Sequence, residues 1–396
     1  MNAALWSTLL VVALLVGVWR FYLWQRRAIH KRADPAKLER YPSLSVIRPI
    51  KGLDTGMEEN LRAALDHGYP GEVETFFVFE DENEPALPLV ETALAERISA
   101  GPFVKARVLF SGQPPANRTG KLHSMIAGLK ASKNELVAFV DSDVRQDQEA
   151  LRVLVETLLA AEGAGAAFAP VVASEPPATV GDVGHALMLN ALYEPAALAT
   201  ADKFGGELPF IMGHFMVFKR EAIEAIGGLE NAEGQLVDDM FLGRRLNECG
   251  YRNKVSPHPV AIIQRGSTVR EFVPTFTRWL AFSRSGLPVL SFKLRYGLIG
   301  AAFWGSLIIA LWAATAGQPL LASLATLVPL SVAATANDLH YRIVGARLPL
   351  KYHWVSLVLW LIAPLAYAQI LTKREVAWRG RVYRLDMHSR LGYPRF

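Results

Sequence analysis

Two carboxylates one residue apart, Asp141-Ser142-Asp143, close the apolar run Glu135 to Val140 (ELVAFV). At a strand end such a pair can offer oxygens to a hard divalent cation, which in turn neutralises a diphosphate. The same three residues are good turn formers, so by themselves they describe a plain turn more readily than a metal site. A second acidic pair, Asp238-Asp239, opens the helical pattern Met240 to Cys249. Carboxylates there cap a first turn. One of them can also act as general base toward an acceptor hydroxyl, a contribution of roughly 10²- to 10⁴-fold. The two roles are compatible. Arg278-Trp279 follows in the stretch Phe272 to Arg284, just ahead of an apolar block. It suits an interfacial anchor, or a fork of donors for a departing phosphate beside an indole wall.

These groups need a scaffold. Leu44 to Pro49 (LSVIRP), Thr75 to Phe79, Val104 to Phe110 and Glu135 to Val140 read as buried strands. Met57 to Asp66, Pro85 to Ile98, Lys121 to Ala131 and Asp147 to Ala161 read as helices between them. The alternation predicts an α/β domain with a mostly parallel sheet, whose ligands bind outside the carboxyl ends of the strands. Glu80-Asp81 and Asp141 to Asp143 fall at such ends. His214 lies in PFIMGHFMVF (Pro209 to Phe218), read as a strand, where it is either a structural histidine or part of an acceptor pocket. His123, beside Lys121 on a helix face, has the same ambiguity. The sequence has no histidine cluster with zinc spacing, no Gly-x-Ser-x-Gly and no Walker-type loop.

Composition then limits the class. Of 396 residues, 51% are hydrophobic and 20% charged, which points to a membrane component. The single cysteine, Cys249, excludes an intrachain disulfide and a Cys-based zinc site, and fits a reducing, cytoplasm-facing domain. The formal net charge of +5 is segregated. Seven basic and two acidic residues lie between Arg20 and Arg40, the same numbers lie between Lys373 and Arg395, and the middle is acidic. Basic ends around an acidic middle favour an anionic membrane surface over nucleic acid.

Ala3 to Trp19, with the aromatic group Trp19, Phe21, Tyr22 and Trp24 and the basic residues after it, reads as a transmembrane helix whose downstream chain is cytoplasmic. Tyr296 to Ala316, Pro319 to Ala336 and His353 to Thr372 are each long enough to span. Three crossings would put the basic tail outside, against the positive-inside rule. The segment around Pro364 is the preferred re-entrant or interfacial candidate. The expected organisation is a transmembrane helix at 1–25, a basic linker at 26–42, a catalytic domain at 43–270, an amphipathic interfacial region at 271–294, transmembrane or re-entrant segments at 295–372, and a basic cytoplasmic tail at 373–396.

The ordered pieces VIRPIKGLD (Val46 to Asp54), ENL (Glu59 to Leu61), DENEPA (Asp81 to Ala86), DSDVR (Asp141 to Arg145), VDDMF (Val237 to Phe241), TRW (Thr277 to Trp279) and WRGRVYRL (Trp378 to Leu385) together resemble the ceramide glucosyltransferase family. Members are membrane-anchored inverting glycosyltransferases of GT-A fold that use a nucleotide sugar. The resemblance implies a Rossmann-like GT-A domain with transmembrane and interfacial helices, a UDP-sugar donor, a membrane lipid acceptor and a divalent metal, Mn²⁺ or Mg²⁺. It makes Asp239 the catalytic base, with Arg278 and Trp279 beside it. It makes Asp81 the reader of the nucleotide base, Asp141 a neighbour of ribose and diphosphate, and Asp143 the metal ligand. Pro49, Lys51, Lys121, Arg379 and Arg381 are expected on the donor side, since a lysine at a loop-to-helix junction suits an anion and the tail arginines can fold back onto the diphosphate. Glu194, His214 and Asp238 are expected on the acceptor side.

Two departures bear on the acceptor. The first position of the Arg-Trp motif is Thr275 where the family has Gln or Arg, which argues against a polymer-making enzyme. Glu194-Pro195 stands where eukaryotic members carry His-Pro. The sequence reading is therefore hexose transfer, glucose first, from a UDP-sugar to a lipid hydroxyl at the inner face of a bacterial membrane. Ceramide is the leading acceptor. A hopanoid, a sterol-like lipid, diacylglycerol or polyprenyl phosphate is the alternative, and a nonenzymatic lipid-binding protein is the rival class.

Overall fold

The computed structural model describes residues 3–99, 101, 105–286, 289–372, 374–385 and 390–391, with side chains described outside 285–296 and 298–299. The chain forms two compact units. One, built on a sheet, takes Arg32–Val172, Thr200–Gln264 and Arg374–Phe396; the other, helical, takes Met1–Lys31, Ala173–Ala199 and Arg265–Lys373. The expected 43–270 domain ran without interruption, whereas Ala173–Ala199 groups with the helices and the C-terminal tail with the sheet.

In the sheet unit, β1 (Leu44–Pro49), β2 (Val73–Phe79), β3 (Lys105–Phe110), β4 (Leu136–Val140), β5 (Val144–Arg145), β6 (Ala164–Phe168), β7 (Val171–Val172), β8 (Phe215–Lys219), β9 (Arg252–Val255) and β10 (Val260–Ile262) follow one another in the chain. The main sheet has the order β3-β2-β1-β4-β8-β6-β9, and β5, β10 and β7 form a small second sheet. The first four strands of the main sheet are mutually parallel. β8 enters antiparallel between β4 and β6, and β6 is parallel to β9. This is the mixed, mostly parallel α/β arrangement that the resemblance implies.

Sequence pattern explains the order. All five residues of β4 and four of the five in β8 are buried, as strands covered on both faces must be. Phe139 and Phe218 meet edge to face there, with centroids 5.7 Å apart. β3 corrects an expectation: among the described residues, which exclude Val104, it is an edge strand paired with β2 and exposed at Lys105, Arg107 and Phe110, because its charges need water. The run Pro209 to Phe218 is likewise not one strand. It pairs as β8 only from Phe215, because the Gly213 amide is used elsewhere, as described below.

In the helical unit, Ala3–His30, Pro319–Val344 and Leu350–Thr372 are long and apolar enough to cross a membrane, and Gly300–Thr315 is a shorter apolar stretch of the helix Val289–Thr315. Val11, Ala313, Leu321, Ala325 and Val328 form a buried seam among them. Leu5, Leu9, Val16, Ile308, Leu311, Leu320 and Leu327 face outward and exposed, as lipid-facing side chains do. At one end Asp338 accepts from Tyr22 Oη and from Arg342 Nε, each at 2.5 Å, so the C-terminal ends of Ala3–His30 and Pro319–Val344 lie together.

The last helix, His353–Thr372, packs against these helices: Asn337 Nδ2 donates to Ser356 Oγ at 3.2 Å, Trp304 Nε1 donates to Leu361 O at 3.1 Å, and a Cβ on Gly300 would lie 3.1 Å from Pro364 Cγ. It shares the direction of the amphipathic helix Val269–Gly286. Tyr352 Oη bonds Ala178 O and Thr179 Oγ1 bonds Ser267 O near their starts, while Arg284 reaches Ile370 O near their ends.

Candidate active site

The carboxyl ends of β1, β2 and β4 lie side by side and carry Lys51, Glu80-Asp81 and Asp141 to Asp143. Because β8 is antiparallel, its start arrives at the same edge, where Asp141 N–H bonds His214 O at 2.9 Å. Two glycine-ended loops complete the edge. Thr119 caps the helix Gly120–Ala131 by accepting from Leu122 N–H, which sets Lys121 in the first turn. Lys121 Nζ then lies 2.5 Å from Asp141 Oδ1 and 2.8 Å from Gly213 O.

Gly213 joins that lysine to the second acidic pair. Its N–H donates to Asp239 Oδ2 at 2.5 Å, while Met240 N–H donates to Asp239 Oδ1 at 2.8 Å. A Cβ at Gly213 would stand 2.6 Å from that of Asp239, so only glycine permits the contact. Asp239 thus opens its helix with both oxygens aimed by backbone amides. Burial first, and then the neighbouring Asp238, push its carboxyl up to about 7, against the pull of Lys121. A base poised there can exchange a proton near neutral pH. Burial also raises Asp238, whose Oδ2 is buried without a hydrogen-bond partner among the described residues. Lys121 itself is lowered by burial but carried above the ordinary lysine range by Asp141, Asp238 and Asp239. His214 is pushed down by burial, which keeps its ring neutral.

Asp143 offers another such oxygen: its Oδ1 is buried and meets no hydrogen-bond donor among the described residues. A buried carboxylate oxygen left open in this way fits a cation. Among the described residues no group of three or more His, Cys, Asp and Glu could enclose one. Asp143 could accordingly hold a divalent ion only with further ligands from outside the described residues.

Beneath the pair lies Arg48, which the sequence reading missed. Its guanidinium is fully buried, donates from Nη2 to Val144 O at 3.3 Å, and leaves Nε and Nη1 without a hydrogen bond among the described residues. Burial lowers it to about 10, opposed by Asp141 and Asp143. Arg48 is therefore a built-in cation for those carboxylates. An arginine inside a run otherwise buried on both faces was the available signal.

The tail lies over the same edge of the sheet unit. Its hairpin, β11 (Glu375–Trp378) and β12 (Arg381–Arg384), turns at Arg379 and Gly380, with φ of 48° and 77°. Arg379 Nη1 reaches Asp54 Oδ1 at 2.7 Å and Lys51 O at 3.1 Å, and Arg381 reaches Glu80 Oε1 at 2.7 Å. Lys51 pairs with Glu84 and Glu80. Asp54 is raised by burial and then by Asp143, and also accepts from Ser142 Oγ at 2.5 Å. Farther along, Leu391 N–H bonds Gly234 O at 2.9 Å, and Gly234 N–H bonds Asn117 O at 2.7 Å. The loop ahead of Asp238 is thus held between the Asn117 loop and the tail.

The remaining expected residues are placed as follows. Pro49 ends β1, and Asp81 accepts from Asn83 N–H at 2.8 Å in the turn after β2. Arg278 and Trp279 lie in the helix Val269–Gly286 of the helical unit, where the Trp279 ring stands 5.0 Å from that of Tyr193. Glu194 is fully buried in the same unit, directly after a π-helical turn, Met188–Tyr193. The structure brings together Lys121, Asp141, His214, Asp238 and Asp239, and beside them Asp143, Asp54 and Arg379.

Comparison with known proteins adds a family. The chain is 22% identical over 98% of its length, and 84% of the relative's, to ceramide glucosyltransferase 3 of Caenorhabditis elegans. It is 24% identical to ceramide glucosyltransferase 1 of the same animal, over 70% of this chain and 57% of that one. Among solved structures it is similar to the mannosyltransferase PcManGT of Pyrobaculum calidifontis, in complex with GDP-Man and Mn²⁺, with a TM-score of 0.48 and 18% identity over 93% of this chain and all of that one. A glucosyl-3-phosphoglycerate synthase of Mycobacterium tuberculosis matches 62% of this chain and 81% of its own at 17% identity, with a TM-score of 0.39. At these scores neither structure carries residues across. The model of glycosyl transferase family 21, by contrast, matches residues 5–391, so the chain belongs to that family and is a membrane glycosyltransferase of the ceramide glucosyltransferase kind.

Proposed function

We propose that the protein transfers a hexose, glucose first, from a UDP-sugar to the hydroxyl of a membrane lipid, ceramide first, with inversion to a β-glycoside. The observation that carries this reading is Asp239: a carboxyl aimed by two backbone amides, poised at about 7, beside a lysine that neutralises its neighbours. Asp239 takes the proton of the lipid hydroxyl as that oxygen attacks opposite the departing UDP. Asp238 raises the proton affinity of Asp239, and Lys121 holds Asp141 and the Gly213 loop in register. Asp81 reads the nucleotide base. Arg278 and Trp279 serve the departing phosphate and the acceptor pocket, as the family motif implies. A divalent cation at Asp143, when bound, supplies charge neutralisation at the diphosphate.

Topology fits this reading. The packing of the tail on the sheet unit that follows the first helix supports an even number of crossings between Arg265 and Lys373. On this reading the helix His353–Thr372 is the interfacial one, and the basic tail stays with the catalytic domain on the cytoplasmic face, against anionic lipid.

UDP release from full-length protein in lipid nanodiscs tests the reading. It is expected to require both a UDP-hexose and the acceptor lipid, and to fall on addition of a chelator and in Asp143→Asn. Release that ignores the lipid would count against transfer to lipid, and no turnover with any UDP-sugar would favour the nonenzymatic rival.

A further inference from the structure

The tail hairpin holds one residue in a conformation that the turn alone does not call for. Trp378 pairs with Arg381, so Arg379 and Gly380 form a two-residue turn in which both φ values are positive. Such turns favour Asn-Gly or Gly-Gly, and most other L residues are disfavoured in that region. Among the described residues Arg379 is the one non-glycine residue held at positive φ. Backbone strain of this kind persists where the side chain is needed.

The contacts of its guanidinium show what it is needed for. Arg379 Nη1 donates to Asp54 Oδ1 at 2.7 Å, and the other oxygen of Asp54 accepts from Ser142 Oγ at 2.5 Å. Ser142 stands between Asp141 and Asp143, so one carboxylate, 10% exposed, is bonded both to the tail arginine and to the turn that carries the open oxygen of Asp143. The charges act on one another. Burial weakens the hold of Arg379 on its proton, Asp54, Asp143 and Asp141 more than offset this, and Asp143 in turn raises Asp54. Arg48 and Lys121 are the other cations at these carboxylates. Arg48 is fully buried within β1, and Lys121 is bonded to both Asp141 and Gly213 O. Arg379, one-third exposed on a short turn, is the one of the three that is placed to withdraw.

We propose that Arg379 is a stand-in counter-ion: before the donor arrives it balances Asp54 and Asp143 and keeps a divalent cation from settling beside them. The cation is then held only together with a nucleotide diphosphate, which brings more negative charge than one guanidinium neutralises. The inference rests on the cation read above at Asp143 and adds the condition under which it binds. It also gives the strained turn a reason, since glycine or asparagine would form the hairpin and leave the carboxylates open to metal.

Mn²⁺ binding to full-length protein in phosphatidylcholine nanodiscs, read from the paramagnetic resonance of free Mn²⁺, tests it. Arg379→Asn is the informative variant, because Asn-Gly suits the turn while the charge is gone. Without nucleotide it is expected to bind Mn²⁺ more tightly than wild type by on the order of tenfold, one nearby positive charge having been removed. Arg379→Lys, which keeps the charge, should bind as weakly as wild type, and saturating UDP should close the gap between wild type and Arg379→Asn. Equal affinity of wild type and Arg379→Asn without nucleotide would overturn the proposal. So would equal tightening in Arg379→Lys, binding that survives Asp143→Asn, or no binding to wild type even with UDP. Should Arg379→Asn fail to fold, Arg379→Gln carries the same expectation. Glycolipid formation is measured separately: if none is made while Arg379→Asn gains Mn²⁺, the functional reading fails and the counter-ion stands.

Discussion

Two sets of carboxylates share one edge of the sheet unit and are treated in opposite ways. Asp54, Glu80 and Glu84 each have a cation of the chain: Arg379, Arg381 and Lys51. Asp143 and Asp238 each keep a buried oxygen that meets no donor among the described residues, and Asp239 is pushed up to about 7. The first set is closed and holds the tail in place. The second is open, and its unmet electrostatic demand is what a cation, a proton or a substrate hydroxyl can satisfy. Structure and chemistry divide along that line, with Arg48 and Lys121 as the built-in cations between them.

The difference can be broken from either side. Asp239→Asn removes the base while keeping the shape, and turnover is expected to fall by roughly 10²- to 10⁴-fold with UDP-sugar affinity retained, read by steady-state rates beside calorimetric donor binding. Arg48→Met leaves Asp141 and Asp143 without their buried cation. Unfolding should become easier by about 3–5 kcal/mol, with part of the loss recovered by Arg48→Lys or by added Mn²⁺ in a thermal melt.

A pH series probes the open set more finely. Asp239 must be ionised to accept a proton, so kcat/KM should rise with pH to a plateau above about 7. Removing its neighbour's charge by Asp238→Asn should move that midpoint down. The stability sign is opposite. The folded carboxyl at about 7 exceeds its unfolded value of about 3.9, so the protein keeps this contribution below about pH 4 and loses it as pH rises through about 7. Asp239→Asn should flatten that loss in denaturant melts. The smallest effect is expected at the closed set. Arg379 is one-third exposed, and Arg379→Ala should cost no more than about 1 kcal/mol, with a modest rise in donor KM.

The sequence displayed much of this edge and little of its wiring. β1 and β4 were legible because short, mostly apolar runs bounded by polar residues read as buried strands, and Asp141 to Asp143 because they end such a run. β3 looked buried until its charges placed it at the sheet's edge. Ala173–Ala199 could not be separated from the catalytic domain by pattern, because Val180–Leu187 is buried all round and has no polar face to show which neighbour it belongs to. Arg48 was hidden by its charge, which reads as exposed in any pattern of polarity. Asp54 and Arg379 are separated by 325 positions, and nothing local in either sequence stretch reports their pairing.

The most direct test of the account is mass spectrometry of the lipids after the protein has reacted with a panel of UDP-sugars in ceramide-containing membranes, with the anomer of any product read by NMR. The account expects ceramide gaining one hexose in β linkage with wild type, UDP-glucose the best donor, and the product lost in Asp239→Asn. An α-linked product, or undiminished product from Asp239→Asn, would contradict it.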